Sequence, residues 1–135
     1  MGVFDQFKQL KVFNQLTRKK EKFSADKNKV GIYVCGVTPY DVTHLGHAFT
    51  YTSFDVVIRY LRFLGYRVTY VQNLTDIDDD ILKRAKRDKI NWRQLIRIKT
   101  RQFLQDQRWL NNSQPDFFPR ATDHIPEMIK MVESL

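Results

Sequence analysis

Cysteine is almost absent from this sequence. Cys35 is the only one in 135 residues, so no disulfide can close within the chain and a framework of paired cysteines is excluded. A chain without disulfides is expected in the reducing cytoplasm. Long apolar runs are also missing. Nothing approaches the roughly 20 residues that cross a bilayer, so no membrane partner is expected. The mixed stretch from Met1 to Leu10 lacks the cationic start and apolar centre of a secretory signal. Acidic residues are the minority, 15 Asp and Glu against 23 Lys and Arg, which leaves a net charge of +8. That balance suits RNA or a phosphate-rich ligand, and equally a well-solvated basic surface. The basic side chains gather between Lys83 and Arg101 with few aromatics among them. This is the pattern of a helix face rather than of a base-stacking platform.

What is present suffices for one domain with a real core: 42% of the residues are hydrophobic. Residues 1–28 are polar and lysine-rich, with Phe4, Phe7, Val12, Phe13 and Leu16 scattered among them, and read as an irregular lead-in. Val30 to Val34 reads as a buried strand and residues 36–41 as a loop. From Leu45 a helical stripe of Phe54, Val57, Ile58, Leu61 and Leu64 follows, with Gly65 placed to end it. Val68 to Val71 reads as a second strand and residues 73–80 as a polar loop opening a helix near Asp78 or Asp79. A longer helix runs from Trp92 to Leu110, with Leu95, Ile96, Phe103 and Leu104 inward. A loop over 111–119 and a last helix from about Ile125, with Met128, Ile129 and Val132 as its apolar side, complete the chain.

This order predicts an α/β fold. A right-handed strand–helix–strand crossover makes the two strands parallel neighbours, giving half of a Rossmann-type domain over residues 29–135. A half-sheet has an unpaired edge, and no Gly, Asn or Pro closes the last helix at Leu135. The expectation is an N-terminal part of a larger domain, or a chain whose sheet a second chain completes.

The chemistry is expected where the first strand meets the helix, in Cys35-Gly36-Val37-Thr38-Pro39-Tyr40-Asp41-Val42-Thr43-His44-Leu45-Gly46-His47. Ligands of open α/β sheets bind at the carboxyl ends of strands, and the amides opening a helix attract phosphate. Gly46 lets a ligand approach the backbone. His44 and His47 stand about one turn apart on one side of the helix. Their N–H groups can donate to a phosphoryl group in the transition state; alternatively, one of them caps the helix and the other packs. The cluster Asp76, Asp78, Asp79 and Asp80 lacks the glycine and terminal glutamate of a calcium loop and reads as helix capping, with Thr75 a further cap candidate.

His44-Leu45-Gly46-His47 resembles the H-I-G-H signature of class I aminoacyl-tRNA synthetases, with Leu in place of Ile. The flanking Y-V-C-G-V-T-P-Y-D and the run from Phe54 to Ala85 resemble the cysteinyl-tRNA synthetase family, as does P-R-A-T-D-H-I-P-E-M-I; the likeness covers roughly residues 12–135. It implies a class I, HUP-like nucleotide-binding domain with parallel strands and flanking helices. By matching position it implies His44 and His47 as catalytic residues. Cys35, Gly36, Thr38, Gly46, Thr50, Asn73, Leu74 and Thr75 would line the site of the aminoacyl-adenylate. The implied substrates are L-cysteine, ATP with Mg²⁺, and tRNA(Cys). Cys35 would be one ligand of a Zn²⁺ ion that binds the substrate thiolate, a bond serine cannot make. The family's other zinc ligands, a cysteine, a histidine and a glutamate, lie beyond the segment matched here.

Two other readings stay open at this stage. Thr38-Pro39-Tyr40-Asp41 and Asn91-Trp92-Arg93 also resemble the cysteine ligase of mycothiol synthesis, which shares the first half-reaction. A non-catalytic or split-enzyme fragment that binds nucleotide or tRNA is the third reading. Lys130-Met131-Val132-Glu133-Ser134 is superficially like the K-M-S-K-S signature of the same class but reads as ordinary amphipathic helix.

Overall fold

The computed structural model describes residues 10–135; Phe4 and Phe7 of the expected lead-in lie outside the described residues. Strands β1 (Lys11–Asn14) and β2 (Lys19–Lys22) pair antiparallel, from Lys11 opposite Lys22 to Asn14 opposite Lys19. The irregular lead-in expected over 1–28 is therefore corrected to a hairpin within it. Sequence periodicity could not show this hairpin, because lysines occupy both faces and Val12 and Phe13 are exposed. Its turn is set by polar chemistry instead. The Asn14 side chain accepts from the Leu16 amide (3.0 Å) and donates to Glu21 (3.0 Å), while Arg18 adopts φ 55°. Phe23, just after β2, packs edge-on against Tyr66 at 5.5 Å between ring centres.

The expected strand–helix–strand unit is present: β3 (Lys29–Val37), α1 (Leu45–Phe63) and β4 (Arg67–Leu74), with β3 and β4 parallel. Both strands run further than their apolar runs suggest. Register passes from Val34 opposite Gln72 to Val37 opposite Leu74, three steps on β3 against two on β4. The extra residue is a bulge at Cys35–Gly36, which turns both Val34 and Val37 toward the core. Gly36 thus belongs to a strand, although it reads as the start of a loop.

α1 ends as expected, with Gly65 at φ +86° and its amide donating to the Arg62 carbonyl (3.0 Å). Its inward face is Tyr51, Asp55, Ile58 and Leu61, whereas Phe54 and Val57 are 41% and 43% exposed. Ile58 and Leu61 of the expected stripe do face inward, but Phe54 and Val57 do not, because two polar-tipped side chains, Tyr51 and Asp55, complete the buried face. Asp55 tolerates burial by accepting from Arg59 (2.6 Å) and from the Ser113 amide (2.9 Å).

Helices α2 (Asp79–Arg87) and α3 (Trp92–Trp109) pack through Ile81, Ala85, Leu95 and Ile96. α3 adds Phe103 to the main core of Val34, Val37, Tyr51, Ile58, Tyr70 and Leu74. The segment over 111–119 is more than a loop. The Gln72 amide donates to the Phe117 carbonyl (3.1 Å) and the Leu74 amide to the Pro119 carbonyl (2.8 Å). Parallel bridges Val71–Phe117 and Leu74–Arg120 extend the sheet beyond β4. Helix α4 (Ile125–Glu133) forms where expected, but Met128, Ile129 and Val132 are exposed and meet no core among the described residues. On β3, Val30 and Val34 are buried while Gly31, Tyr33 and Cys35 are exposed. The result is a partial Rossmann-like α/β unit. Among the described residues, no helix is long and apolar enough to cross a membrane.

Candidate active site

A cleft of about 470 Å³ opens at the carboxyl end of β3, lined by residues 36–44 with His47, Lys99 and Phe103. One wall is the start of α1. His44 is the N-cap, and its Nδ1 accepts from the Gly46 amide (3.1 Å); the His44 amide in turn reaches toward Nδ1 of His47 (3.5 Å). A neutral imidazole has one acceptor and one donor nitrogen. With both Nδ1 atoms accepting, the network assigns the proton of each ring to Nε2, where it is free to donate. The rings stack, with centres 3.9 Å apart. Partial burial, and then repulsion from His44 when that ring is protonated, hold the His47 imidazole below its ordinary pKa. It is therefore neutral at neutral pH. Capping and phosphate binding are thus compatible: Nδ1 serves the helix, and Nε2 remains for a ligand.

Gly46 makes this cap possible. A β-carbon there would stand 2.9 Å from His44 Cε1 and 3.0 Å from its Nδ1. The Thr50 hydroxyl donates to the Gly46 carbonyl (3.0 Å), which commits it to α1; Thr50 does not line the cleft.

Gly36 and Thr38 do line the cleft. Behind them stands Asn73, whose Oδ1 accepts from the Gly36 amide (2.7 Å) and from the Tyr33 hydroxyl (2.8 Å). Its Nδ2 donates to the Thr75 hydroxyl (3.3 Å), and the Thr75 amide donates to the Val37 carbonyl (3.1 Å). Asn73 and Thr75 therefore shape the floor beneath Gly36. Leu74, between them, is fully buried, so its side chain is core and not a lining group. The cap of α2 is Asp78, accepting from the Asp80 amide (2.8 Å), and not Thr75. Buried Asp76 accepts from the amide and hydroxyl of Thr122 (3.0 and 2.6 Å).

Cys35 is exposed at the bulge, and its carbonyl accepts from the Tyr51 hydroxyl (3.3 Å). Burial pushes the Tyr51 phenol up to about 12, so this hydroxyl stays a donor. Cys35 is not part of the cleft lining. Among the described residues, no group of three or more His, Cys, Asp or Glu side chains could hold a metal ion. A zinc site needs at least three protein ligands, and these residues by themselves do not fit one.

Two features escaped the sequence. Lys99 reaches the cleft from α3; in the sequence it is one of many basic residues, and only the packing of α3 distinguishes it. Arg84 bridges Asp41 (2.7 Å) and Asp88 (2.6 Å), tying the cleft loop to α2. The Val42 amide and Arg84 together hold the Asp41 carboxyl below its ordinary pKa. No spacing rule links residues 41 and 84. The Gly46, His47 and Ala48 amides are taken up by His44, so the groups of the lining that can meet an anion are the two imidazoles and the Lys99 ammonium.

The profile of the catalytic domain of class I (C) tRNA synthetases matches residues 21–135. The chain is 54% identical over 127 residues to the cysteine–tRNA ligase of Haemophilus influenzae. It is 53% identical to that of Histophilus somni and 52% to that of Pasteurella multocida over the same length. Each alignment takes in 93% of this chain and 28% of the relative, so the chain spans somewhat over a quarter of the length of these relatives.

Proposed function

The chain belongs to the family of class I (C) tRNA synthetase catalytic domains, and from that premise we propose that it forms part of an enzyme that activates L-cysteine with ATP and ligates it to tRNA(Cys). Its relatives bear the name cysteine–tRNA ligase. The observation that carries the reading is the stacked His44–His47 pair at the start of α1, whose Nδ1 atoms face the helix start while both rings line the cleft.

In the proposed reaction, a carboxylate oxygen of cysteine attacks the α-phosphorus of ATP and pyrophosphate leaves. A hydroxyl at the 3′ end of the tRNA then attacks the carbonyl carbon of the cysteinyl-adenylate, forming the cysteinyl ester, and AMP leaves. The protein's task is to position the reactants and to stabilise charge. His44 and His47 donate through Nε2 to the triphosphate, which arrives with Mg²⁺. Lys99 faces the same ligand from α3. Gly36 and Thr38 bound the adenylate, supported by Asn73 and Thr75, and Gly46 keeps the helix start open. Leu74 supports this floor from the core, and Thr50 steadies the first turn of α1. Cys35 is proposed as one thiolate ligand of a zinc ion whose remaining ligands the described residues do not supply; no step above runs through it. We place the catalytic part at residues 29–135, preceded by a lead-in of residues 1–28, and the protein in the cytoplasm.

The test is cysteine-dependent exchange of pyrophosphate into ATP by the protein that carries this chain. Replacing both His44 and His47 by alanine is expected to abolish exchange while the fold persists. Exchange at the original rate in that variant would overturn the reading.

A further inference from the structure

A second feature lies on the exposed side of α3, away from the cleft. Arg93, Arg97, Arg101 and Arg108 follow one another along this helix. At 100° per residue they fall within an arc of about 80° and extend over about 22 Å of helix axis. Arg120, held beside β4 by its bridge to Leu74, joins them. Two hollows lie along this face. One, of about 240 Å³, is lined by Arg93, Arg97 and Arg120; the other, of about 280 Å³, by Arg97, Arg101, Arg108 and Arg120.

None of these five guanidinium groups has a carboxylate partner among the described residues. The ion pairs of the described basic residues are made by Arg59, Arg62, Lys83, Arg84 and Arg87. Asp76 does line the first hollow, but both of its oxygens are taken by Thr122. An unpaired row of guanidinium forks is suited to phosphate, which each fork can bind through two parallel hydrogen bonds. A protein partner would need an apolar or aromatic anchor at the centre of the face. Leu104 there is only partly exposed, and the indole at one end, Trp92, is covered by the Arg93 guanidinium at 4.4 Å.

We infer that the α3 arginine face docks the phosphate backbone of an RNA, reading charge and shape rather than bases. Contacts without stacking aromatics hold a backbone in position and carry no sequence information. The choice of RNA as the polyanion rests on the proposed reading as a tRNA-charging protein; the docking face itself rests on the unpaired arginines. The face is separate from the nucleotide cleft, so the two can fail independently.

The experiment measures binding of a fluorescein-labelled RNA stem-loop to the 135-residue chain by anisotropy, across a series of salt concentrations. Three proteins are compared: the unaltered chain, the triple variant R97Q/R101Q/R108Q, and a control of equal charge change on α2, K83Q/K86Q/R87Q. All six side chains are exposed, and matching thermal melts show that the fold is kept. The α3 variant is expected to bind at least tenfold more weakly. Its slope of log K against log salt should fall by about 2, since each lost phosphate contact removes roughly 0.7 to 0.9. The α2 control should lose less than threefold, and R97K/R101K/R108K, which keeps the charge but not the paired hydrogen bonds, should bind more weakly than the unaltered chain and more tightly than R97Q/R101Q/R108Q. Equal losses in both triple variants would show diffuse charge attraction and overturn the assignment. So would an unchanged affinity in the α3 variant, or displacement of the RNA by polyglutamate at equal charge concentration, which marks an acidic protein partner. ATP binding to the α3 variant, followed separately by calorimetry, is expected to be unchanged. Loss of ATP binding from the unaltered chain would count against the proposed activity and leave the docking face standing.

Discussion

The amide of Gly36 donates to the side-chain oxygen of Asn73 at 2.7 Å, while a β-carbon on Gly36 would lie only 1.5 Å from the carbonyl oxygen of Asn73. The bulge of β3 presses the backbone at Gly36 against β4, and Asn73 satisfies the amide displaced from the ladder. The floor of the cleft depends on this pairing.

Gly36→Ala forces backbone against backbone, which side-chain rotation cannot relieve. The expected loss is about 3 kcal/mol or more, at the upper end of overpacking effects. Gly31→Ala, five residues earlier on the same strand, meets nothing within 4 Å. It is expected to be neutral or to stabilise by about 0.5–1 kcal/mol. Urea melts of the two variants check the contrast, and similar losses in both would refute the close approach.

Asn73→Ala leaves the Gly36 amide without its acceptor, at an expected cost of about 1–3 kcal/mol. Asn73→Asp keeps an acceptor for Gly36 and for Tyr33 and should lose less. Were aspartate to cost as much as alanine, the acceptor role would not be what holds the floor.

Ile58 is fully buried, and its neighbour Val57 is 43% exposed. Ile58→Ala should cost about 2–5 kcal/mol, and Val57→Ala no more than about 0.5 kcal/mol. Comparable losses would return the inward face of α1 to the stripe read from the sequence.

His47 provides a pH test. Its folded-state pKa is depressed below the ordinary 6.5, so in that window the unfolded chain binds the proton first. Stability from the neutral ring is complete above pH 6.5 and is lost as pH falls through 6.5 toward the depressed value. Between about pH 7.5 and 5, the unaltered protein should lose more stability than His47→Gln. Parallel stability curves would show that His47 is not perturbed.

Arg84→Met should release Asp41 and with it the loop that lines the cleft. Because these ion pairs are at the surface, the thermal midpoint should hardly move. ATP should bind several-fold more weakly, as measured by calorimetry. A large fall in the midpoint with intact nucleotide binding would mean that Arg84 supports the fold and not the loop.

The sequence by itself determined the elements whose cause is local. α1 begins at the histidine tetrad and stops at Gly65 because capping and a left-handed residue act within a single turn. The parallel pairing of β3 and β4 follows from the handedness of one crossover. The family signature was equally legible, since it lies in contiguous residues. Tertiary structure decided whatever joins distant residues. Asn73 beneath Gly36, Lys99 in one cleft lining with His44 and His47, Arg84 on Asp41 and the segment at 117–120 beside β4 are placements that no spacing rule encodes. The inward face of α1 also needed tertiary partners, because Asp55 can be buried only where Arg59 and the Ser113 amide meet it. The hairpin at 11–22 was hidden for the opposite reason: hydrogen bonds and a turn hold it, and no apolar periodicity marks it. Hydrophobic patterning shows where a chain buries carbon, but a polar group can be buried only where the fold supplies its partner.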